Sequence, residues 1–300
     1  MQHRCNSARL VLLLRRTVLI NVPHLRSGSA MSSSLSAART ALDETHEDGH
    51  FRRTDAAWRE SNIAPGSRFE PEAGRYHLYV SLACPWAAGA LAALHYHGLE
   101  DTISVSVVHP TWRRTRPDDP NDTHSGWWFR RTGDPPVANE LGNGANACDE
   151  ALVPDTVSGC KNLREVYELA GDTGGKYSTP LLWCKKHKTI VANESMDILK
   201  ILDSAFGSFA KTPRPSLFPP EHAAKLEELN GWIYPSINNG VYRCGFAKSQ
   251  SAYDSVLAEL FQAMDKVAAH LDASPGPFLT GDHFTYLDLR LYHTLVRCGT

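Results

Sequence analysis

The stretch Y-V-S-L-A-C-P-W-A-A-G-A-L, residues 79–91, decides the fold. An apolar run ends at Cys84, and Pro85 and Trp86 follow at once. From Pro85 to about His97 the chain is rich in Ala and Leu. It reads as a helix with proline at its first position and Gly98 as its stop. Upstream, Arg75–Ser81 alternates in part (Tyr76, Leu78, Val80 against Arg75, His77, Tyr79) and reads as a strand. Downstream, I-S-V-S-V-V-H at Ile103–His109 alternates with β-branched residues and is the clearest strand of the chain. A strand, a crossover helix and a strand make a β-α-β unit, which implies parallel pairing.

Later segments extend the pattern. Residues 43–74 read as an irregular, polar lead-in. Residues 110–160 are rich in Pro, Gly, Asp and Asn and lack periodicity, so they read as a long functional or mobile insertion. Asn162–Ala170 is a short helix candidate. Leu181–Cys184 and Thr189–Val191 form a strand pair around the basic tip Lys185–Lys188, and Glu194–Phe206 is the next helix. Four prolines between 207 and 220 mark a linker. Beyond it the chain is helical: Glu221–Asn239, then Tyr253–Leu271 with an i, i+3, i+4, i+7 apolar stripe, then a helix opened by F-T-Y-L-D-L at 284–289. There Thr285 and Asp288 form a capping box flanked by Phe284 and Leu289. Loss of the Thr285 cap is expected to cost roughly 1 kcal/mol. The organisation expected is a leader at 1–45, an α/β domain at 46–206 with its insertion at 110–160, a linker at 207–220 and an all-helical domain at 221–300.

Composition limits the function. The 300 residues are 42% hydrophobic and 21% charged, and a net charge of −2 leaves no basic footprint for nucleic acid. Six of the 31 basic residues (Arg4, Arg9, Arg15, Arg16, Arg26, Arg39) fall within residues 1–42, which hold no acid; removing them leaves 25 basic residues against 33 acidic ones. An Arg-rich, Ser-rich, acid-free start has the composition of an organellar transit peptide, against the alternative of a tail with no address. A mitochondrial location is expected first, a plastid second and the cytoplasm third. Arg15 and Arg16 break the apolar run there, so no membrane span is expected. The seven cysteines (5, 84, 148, 160, 184, 244, 298) include no C-x-x-C pair. With no Cys/His cluster at zinc-finger spacing either, reduced thiols and no metal are expected.

Three places carry chemistry. Cys84, just before a helix, sits near unpaired backbone N–H groups and the positive end of the helix dipole. Both favour thiolate over thiol, and thiolate is the form that attacks sulfur. Pro85 lacks an N–H and fixes the first turn. Position 87 is Ala, so no internal C-x-x-C disulfide can close, and a resolving thiol must come from elsewhere, such as a small-molecule thiol. Set against this, cysteine is commonly a buried, inert residue. In K-Y-S-T-P-L-L-W, 176–183, Pro180 reads as a turn device. As a cis proline it would instead expose the flanking Thr179 N–H and C=O to an extended peptide ligand. In N-E-S, 193–195, Glu194 can pair with an amino group while the Ser195 N–H and hydroxyl hold a carboxylate; the plainer reading is a helix N-cap.

Cys84-Pro85-Trp86-Ala87 after a strand, T-P-L-L-W, T-I-V-A-N-E-S at 189–195, L-N-G-W-I-Y-P-S-I-N-N-G-V-Y-R-C-G-F-A at 229–247 and L-T-G-D-H-F-T-Y-L-D-L-R-L at 279–291 together resemble the xi-class glutathione transferases, the glutathionyl-hydroquinone reductases. The resemblance runs from about residue 55 to 297. The N-N-G-V-Y block is specific to that family, whereas C-P-W-A and the last block are shared with wider glutathione transferases, notably the omega class.

The resemblance implies an α/β thioredoxin-like amino-terminal domain and an all-α carboxy-terminal domain, usually as a homodimer. It implies glutathione as co-substrate and glutathionylated quinols as substrates. Cys84 would take the glutathionyl group as a mixed disulfide, and a second glutathione would release it. Thr179, beside Pro180, would pair its backbone with the cysteinyl part of glutathione, Glu194 and Ser195 would hold its γ-glutamyl end, and Trp127 in G-W-W-F would contact it. Tyr234 and Tyr242 would line an aromatic pocket. Lys176, where the family commonly has arginine, would also contact glutathione, keeping the charge but losing the bidentate fork. Cys184 replaces an acid, and the family pattern continues past Thr300, so an incomplete helical domain is expected. An omega-like dehydroascorbate reductase or deglutathionylase, and a non-catalytic glutathione-binding protein, are the competing readings.

Overall fold

The computed structural model describes residues 39–60, 62–138, 144–211 and 213–297. Residues 1–38 of the expected leader, with Cys5, and Cys298 lie outside the described residues. The described chain forms two compact units. One joins the residues up to Glu44 to Arg53–Phe218; the other joins Thr45–Arg52 to the chain from Pro219 onward.

The first unit is built on a four-stranded sheet in the order β2 (Ile103–Val108), β1 (Tyr76–Ser81), β7 (Leu181–Cys184), β8 (Thr189–Ala192). Strands β1 and β2 pair in parallel across helix α1 (Pro85–Tyr96), as the β-α-β reading requires. Strands β7 and β8 form an antiparallel hairpin, and β7 pairs antiparallel with β1. Helix α2 (Leu163–Leu169) precedes the hairpin and α3 (Ser195–Ser204) follows it. This is the thioredoxin-like order expected.

Both faces of the sheet are covered. Successive strand side chains point to opposite faces. Tyr79, Val108, Leu181, Trp183 and Ile190 pack with Leu163, Val166 and Tyr167 of α2. On the other face Tyr76 meets the ring of Phe206, just past α3, edge-on at 5.5 Å, and α1 packs against α3. The half-polar alternation of β1 therefore does not mark a solvent face, since all six residues are buried. His77 is satisfied there by Ser104 at 2.7 Å and Ser106 at 2.9 Å, both on β2. Tyr79 donates to Asp155 at 2.9 Å.

The insertion is more ordered than its composition suggests. It holds two short antiparallel ladders, β3 (Arg113–Arg114) with β4 (Ser125–Gly126) and β5 (Val137–Ala138) with β6 (Ala145–Asn146). Its far end is fixed by Asp155, which accepts from Tyr79 and from the amides of Val157 and Cys160, each at 2.9 Å. Burial pushes the Asp155 carboxyl up, but these donors outweigh it and hold it below its ordinary value. The proline-rich linker is tied down in the same way. Asp203 accepts from the Leu217 amide and the Ser216 hydroxyl, each at 2.6 Å. The lead-in also belongs to the fold: the Arg39 amide donates to the Gly175 carbonyl at 2.8 Å, and Glu44 is buried.

The second unit is helical. The periodicity over 221–239 covers three segments rather than one: a 3-10 turn at Pro220–His222, α4 (Ala223–Ile233) and a π turn at Tyr234–Asn238. Pro235 has no N–H to donate four residues back, so the ladder widens there, and the Asn239 amide reaches the Tyr234 carbonyl at 2.8 Å. Then come α5 (Gly240–Gly245), α6 (Gln250–Ala273) and α7 (Tyr286–Leu295). Ser249 caps α6 by accepting from the Ala252 amide at 3.2 Å. Thr285 and Asp288 form the capping box of α7, with the Thr285 amide donating to Asp288 at 2.9 Å. Asp288 also accepts from the Leu279 amide at 2.8 Å, which binds the preceding loop to the helix. No helix among the described residues is long and apolar enough to cross a membrane.

Candidate active site

Cys84 is the N-cap residue of α1, extended at φ −103° and ψ 113°, and Pro85 follows at the first helical position. The turn from β1 holds it there: the Cys84 amide donates to the Ser81 carbonyl at 3.0 Å, and the Ala83 amide to the Ser81 hydroxyl at 3.2 Å. The thiol is half-buried and donates to the carbonyl oxygen of Thr179 at 3.5 Å. The Thr179–Pro180 bond is cis, so of the two readings of Pro180 the structure has the second. The Thr179 hydroxyl is buried and has no hydrogen-bond partner among the described residues. A thiol at a helix start, a carbonyl beside it and an unmatched hydroxyl form a small polar site against the edge of β7.

Glu194 and Ser195 sit together at the start of α3. Glu194 is the N-cap, its carboxylate accepting from the Met196 amide at 3.2 Å and from the Ser195 hydroxyl at 3.3 Å. The capping reading and the binding reading of N-E-S thus share one geometry, since the Glu194 carboxylate lies at the first amides of the helix.

The Thr179 and Glu194 segments are held by a polar chain that sequence reasoning missed. The Asn193 carboxamide accepts from the Trp58 amide at 3.0 Å and donates to the Tyr167 hydroxyl at 3.0 Å. That hydroxyl donates to the Ser178 carbonyl at 2.9 Å. Asn193 precedes Glu194 and Ser178 precedes Thr179, so Tyr167 links the two segments through groups one residue from each. Burial pushes the Tyr167 phenol up to about 12, so it stays protonated and able to donate. Tyr167 read as one more apolar position of a short helix, and its periodic place there gives no sign of these bonds. Arg53, in the lead-in, stands 5.5 Å over the ring of Trp86 in the first turn of α1. No local pattern marked it, because the two are far apart in sequence.

Lys176 is committed elsewhere. Its ammonium bonds the Glu44 carboxylate, the Thr54 carbonyl at 3.1 Å and the Thr54 hydroxyl at 3.2 Å. Burial pushes the Glu44 carboxyl up, yet Lys176 and Thr54 outweigh it and hold it below its ordinary value. On Lys176 burial is the larger influence and lowers its pKa. The Glu44 direction, set by three short-range partners, fixes the pair as ionised. Trp127 packs edge-on to Trp112 at 5.3 Å and against the core beneath the sheet. Its carbonyl accepts from the Leu163 amide at 2.9 Å. Tyr234 and Tyr242 belong to the helical unit. Tyr234 opens the π turn under the Arg290 guanidinium, 5.4 Å away, and Tyr242 stacks on Phe51 at 6.5 Å.

Comparison with known proteins agrees with this geometry. Residues 83–205 match the glutathione S-transferase amino-terminal domain and residues 250–299 the glutathione S-transferase carboxy-terminal domain. The chain is 36% identical over 259 residues to glutathione S-transferase omega-like 2 of Schizosaccharomyces pombe, covering 85% of this chain and 74% of that one. It is also 36% identical over 271 residues to the glutathionyl-hydroquinone reductase YqjG of Escherichia coli, covering 86% and 72%. The glutathione-bound structure of YqjG superposes with a TM-score of 0.65 at 37% identity, over 83% of this chain and 71% of that one. The glutathione S-transferase Xi of Phanerochaete chrysosporium superposes with a TM-score of 0.70 at 34% identity, over 88% and 76%. With its thiol at a helix start, its cis proline and these relatives, the chain belongs to the xi-class glutathione transferase family.

Proposed function

We propose that the protein reduces glutathionyl-hydroquinones to hydroquinones with glutathione as co-substrate. The observation that carries this reading is the Cys84 thiol at the N-cap of α1, 3.5 Å from the Thr179 carbonyl. As thiolate, Cys84 attacks the sulfur of the bound glutathionyl adduct. The Cys84 S–S bond forms as the aryl C–S bond breaks, and the electron pair goes to the ring carbon, which takes a proton. Hydroquinone leaves. A second glutathione thiolate then attacks the mixed disulfide, so oxidised glutathione departs and Cys84 is regenerated. Ala87 supplies no resolving thiol, which is why the second glutathione is needed.

In this reading the Thr179 backbone beside Pro180 pairs with the cysteinyl part of glutathione. Glu194 and Ser195 hold the γ-glutamyl end, and Trp127 contacts the tripeptide. Tyr234 and Tyr242 receive the aromatic ring. Lys176, bonded to Glu44 and Thr54, supports this frame rather than the ligand directly. A homodimer and an organellar, first mitochondrial, location extend the proposal; the first rests on the family resemblance and the second on the Arg-rich, acid-free start.

Glutathionyl-menadiol and glutathione, with release of menadiol followed in time, test it. Turnover is expected in the wild type, together with a Cys84–glutathione adduct by mass spectrometry. Cys84→Ser is expected to lower turnover at least about a thousandfold, as loss of a covalent nucleophile does. Turnover that survives the substitution sinks the mechanism. Use of dehydroascorbate far better than the adduct selects the omega-like reading, and glutathione retention with neither activity selects a binding protein.

A further inference from the structure

We infer that the helical unit carries a transition-metal site at Glu221, His222 and His283. Among the described residues this is the one group of three or more His, Cys, Asp or Glu side chains whose ligand atoms all lie within 4.8 Å of one another. His222 Nε2 and His283 Nδ1 face each other at 3.1 Å, with ring centroids 4.8 Å apart and planes inclined by 58°. A tetrahedral ion bound at about 2.0–2.1 Å to each of two nitrogens sets them about 3.3–3.4 Å apart. The imidazoles therefore already stand close to the spacing of two ligands on one ion. A hydrogen bond between the rings explains the short contact but gives no reason for the Glu221 carboxylate to converge on the same point. Glu221 is exposed, so a rotation of its side chain brings its oxygen in.

The backbone fixes both halves of the group. Glu221 and His222 lie in the 3-10 turn before α4, and the His222 amide donates to the Pro219 carbonyl at 3.0 Å. The His283 loop is pinned ahead of α7. The Thr280 hydroxyl donates to the His283 carbonyl at 2.9 Å, and the ring of His270 bonds the Leu279 carbonyl at 2.7 Å. Two imidazoles and one carboxylate suit a zinc-class ion, with the fourth position left to water. Binding replaces the ring-to-ring hydrogen bond. Each imidazole then offers its facing lone pair to the metal and carries its proton on the far nitrogen, so one ring changes tautomer. The ion ties the turn before α4 to the loop before α7. Sequence spacing gives no sign of it, because His283 follows His222 by 61 residues.

Titration of the full chain with Co2+, followed by visible absorption, tests the site. One equivalent is expected to give the bands of nitrogen and oxygen ligation, with no thiolate-to-cobalt charge-transfer band. His222→Ala and His283→Ala are each expected to weaken binding at least tenfold, and Cys84→Ser to leave it unchanged. Zn2+ is expected to raise the Tm of the wild type and not that of the His222→Ala/His283→Ala double variant. Equal Co2+ affinity in wild type and double variant overturns the inference, as does a signal that disappears with Cys84→Ser.

Discussion

The Sγ of Cys84 stands 3.5 Å from the carbonyl oxygen of Thr179, 95 residues further along the chain, and donates to it. One partner is set by a helix start and the other by the entry to β7, so their spacing depends on what holds the Ser178–Thr179 backbone against the sheet. That is the Tyr167 hydroxyl. Tyr167→Phe leaves the Ser178 carbonyl and the Asn193 carboxamide each short of one bond. A loss of about 1–3 kcal/mol of stability is expected, together with a several-fold rise in KM for glutathione. The rate at which iodoacetamide alkylates Cys84 without glutathione is expected to hold. Lower stability with an unchanged KM would show that the phenol only supports packing.

Thr179 offers the opposite test. Its buried hydroxyl has no partner among the described residues, and such a group costs about 1–3 kcal/mol. Thr179→Val keeps the shape and removes the group. The free protein is expected to gain about 1 kcal/mol or more, measured by denaturant unfolding, while its affinity for glutathione falls. Tighter glutathione binding by the valine variant would remove this hydroxyl from the site.

The parts of this arrangement that were legible in the sequence are those with short-range causes. Pro85 after Cys84, the β-branched alternation of Ile103–Val108 and the Thr285–Asp288 box each act within one or two turns of chain, and each element stands where it reads. The π turn was hidden because Pro235 interrupts only one bond of an otherwise helical pattern. The insertion looked structureless because Asp155, Tyr79 and the Val153 bridge to Val107 hold it through distant partners. Tyr167 shows the same limit within the site: its place on an apolar helix face is periodic, but its hydrogen bonds join residues 178 and 193, which nothing in its own helix reveals.

Lys176 and Glu44 make a pair whose members fail differently alone and together. Their side chains are 18% and 1% exposed. Removing one partner of a buried pair strands the other, at a cost of about 3–5 kcal/mol. Lys176→Met and Glu44→Gln are each expected to fall near that range by denaturant unfolding. The double variant is expected to lose clearly less than the sum, since no charge is left uncompensated. A KM for glutathione within about twofold of wild type in the double variant would fit a framing role for Lys176, and a large rise would place it at the ligand.

The buried histidines predict how the protein fails in acid. Burial pushes His77, between Ser104 and Ser106, down to about 4. Burial, with the nearby Arg164 guanidinium, does the same to His124, which bonds the Thr115 hydroxyl at 2.8 Å. Above their ordinary value of 6.5 both states are neutral and pH has no leverage. Between 6.5 and 4 the unfolded chain binds two protons that these rings refuse in the folded chain, so stability falls as pH falls, by up to about 2–3 kcal/mol per pH unit for the pair; burial also lowers His293, which adds to the fall in the same direction. The carboxyls held below their ordinary values, Glu44, Asp48, Glu100, Asp122, Asp155, Asp203 and Glu259, add their loss only at lower pH. The interval from pH 6.5 to 5 therefore isolates the histidines. Guanidinium unfolding followed by tryptophan emission at pH 7.5, 6.0 and 5.0 is expected to show a slope that His77→Gln and His124→Gln each reduce, and that the two together largely remove. Stability that is flat across this interval in the wild type would mean that both rings accept protons without leaving the fold.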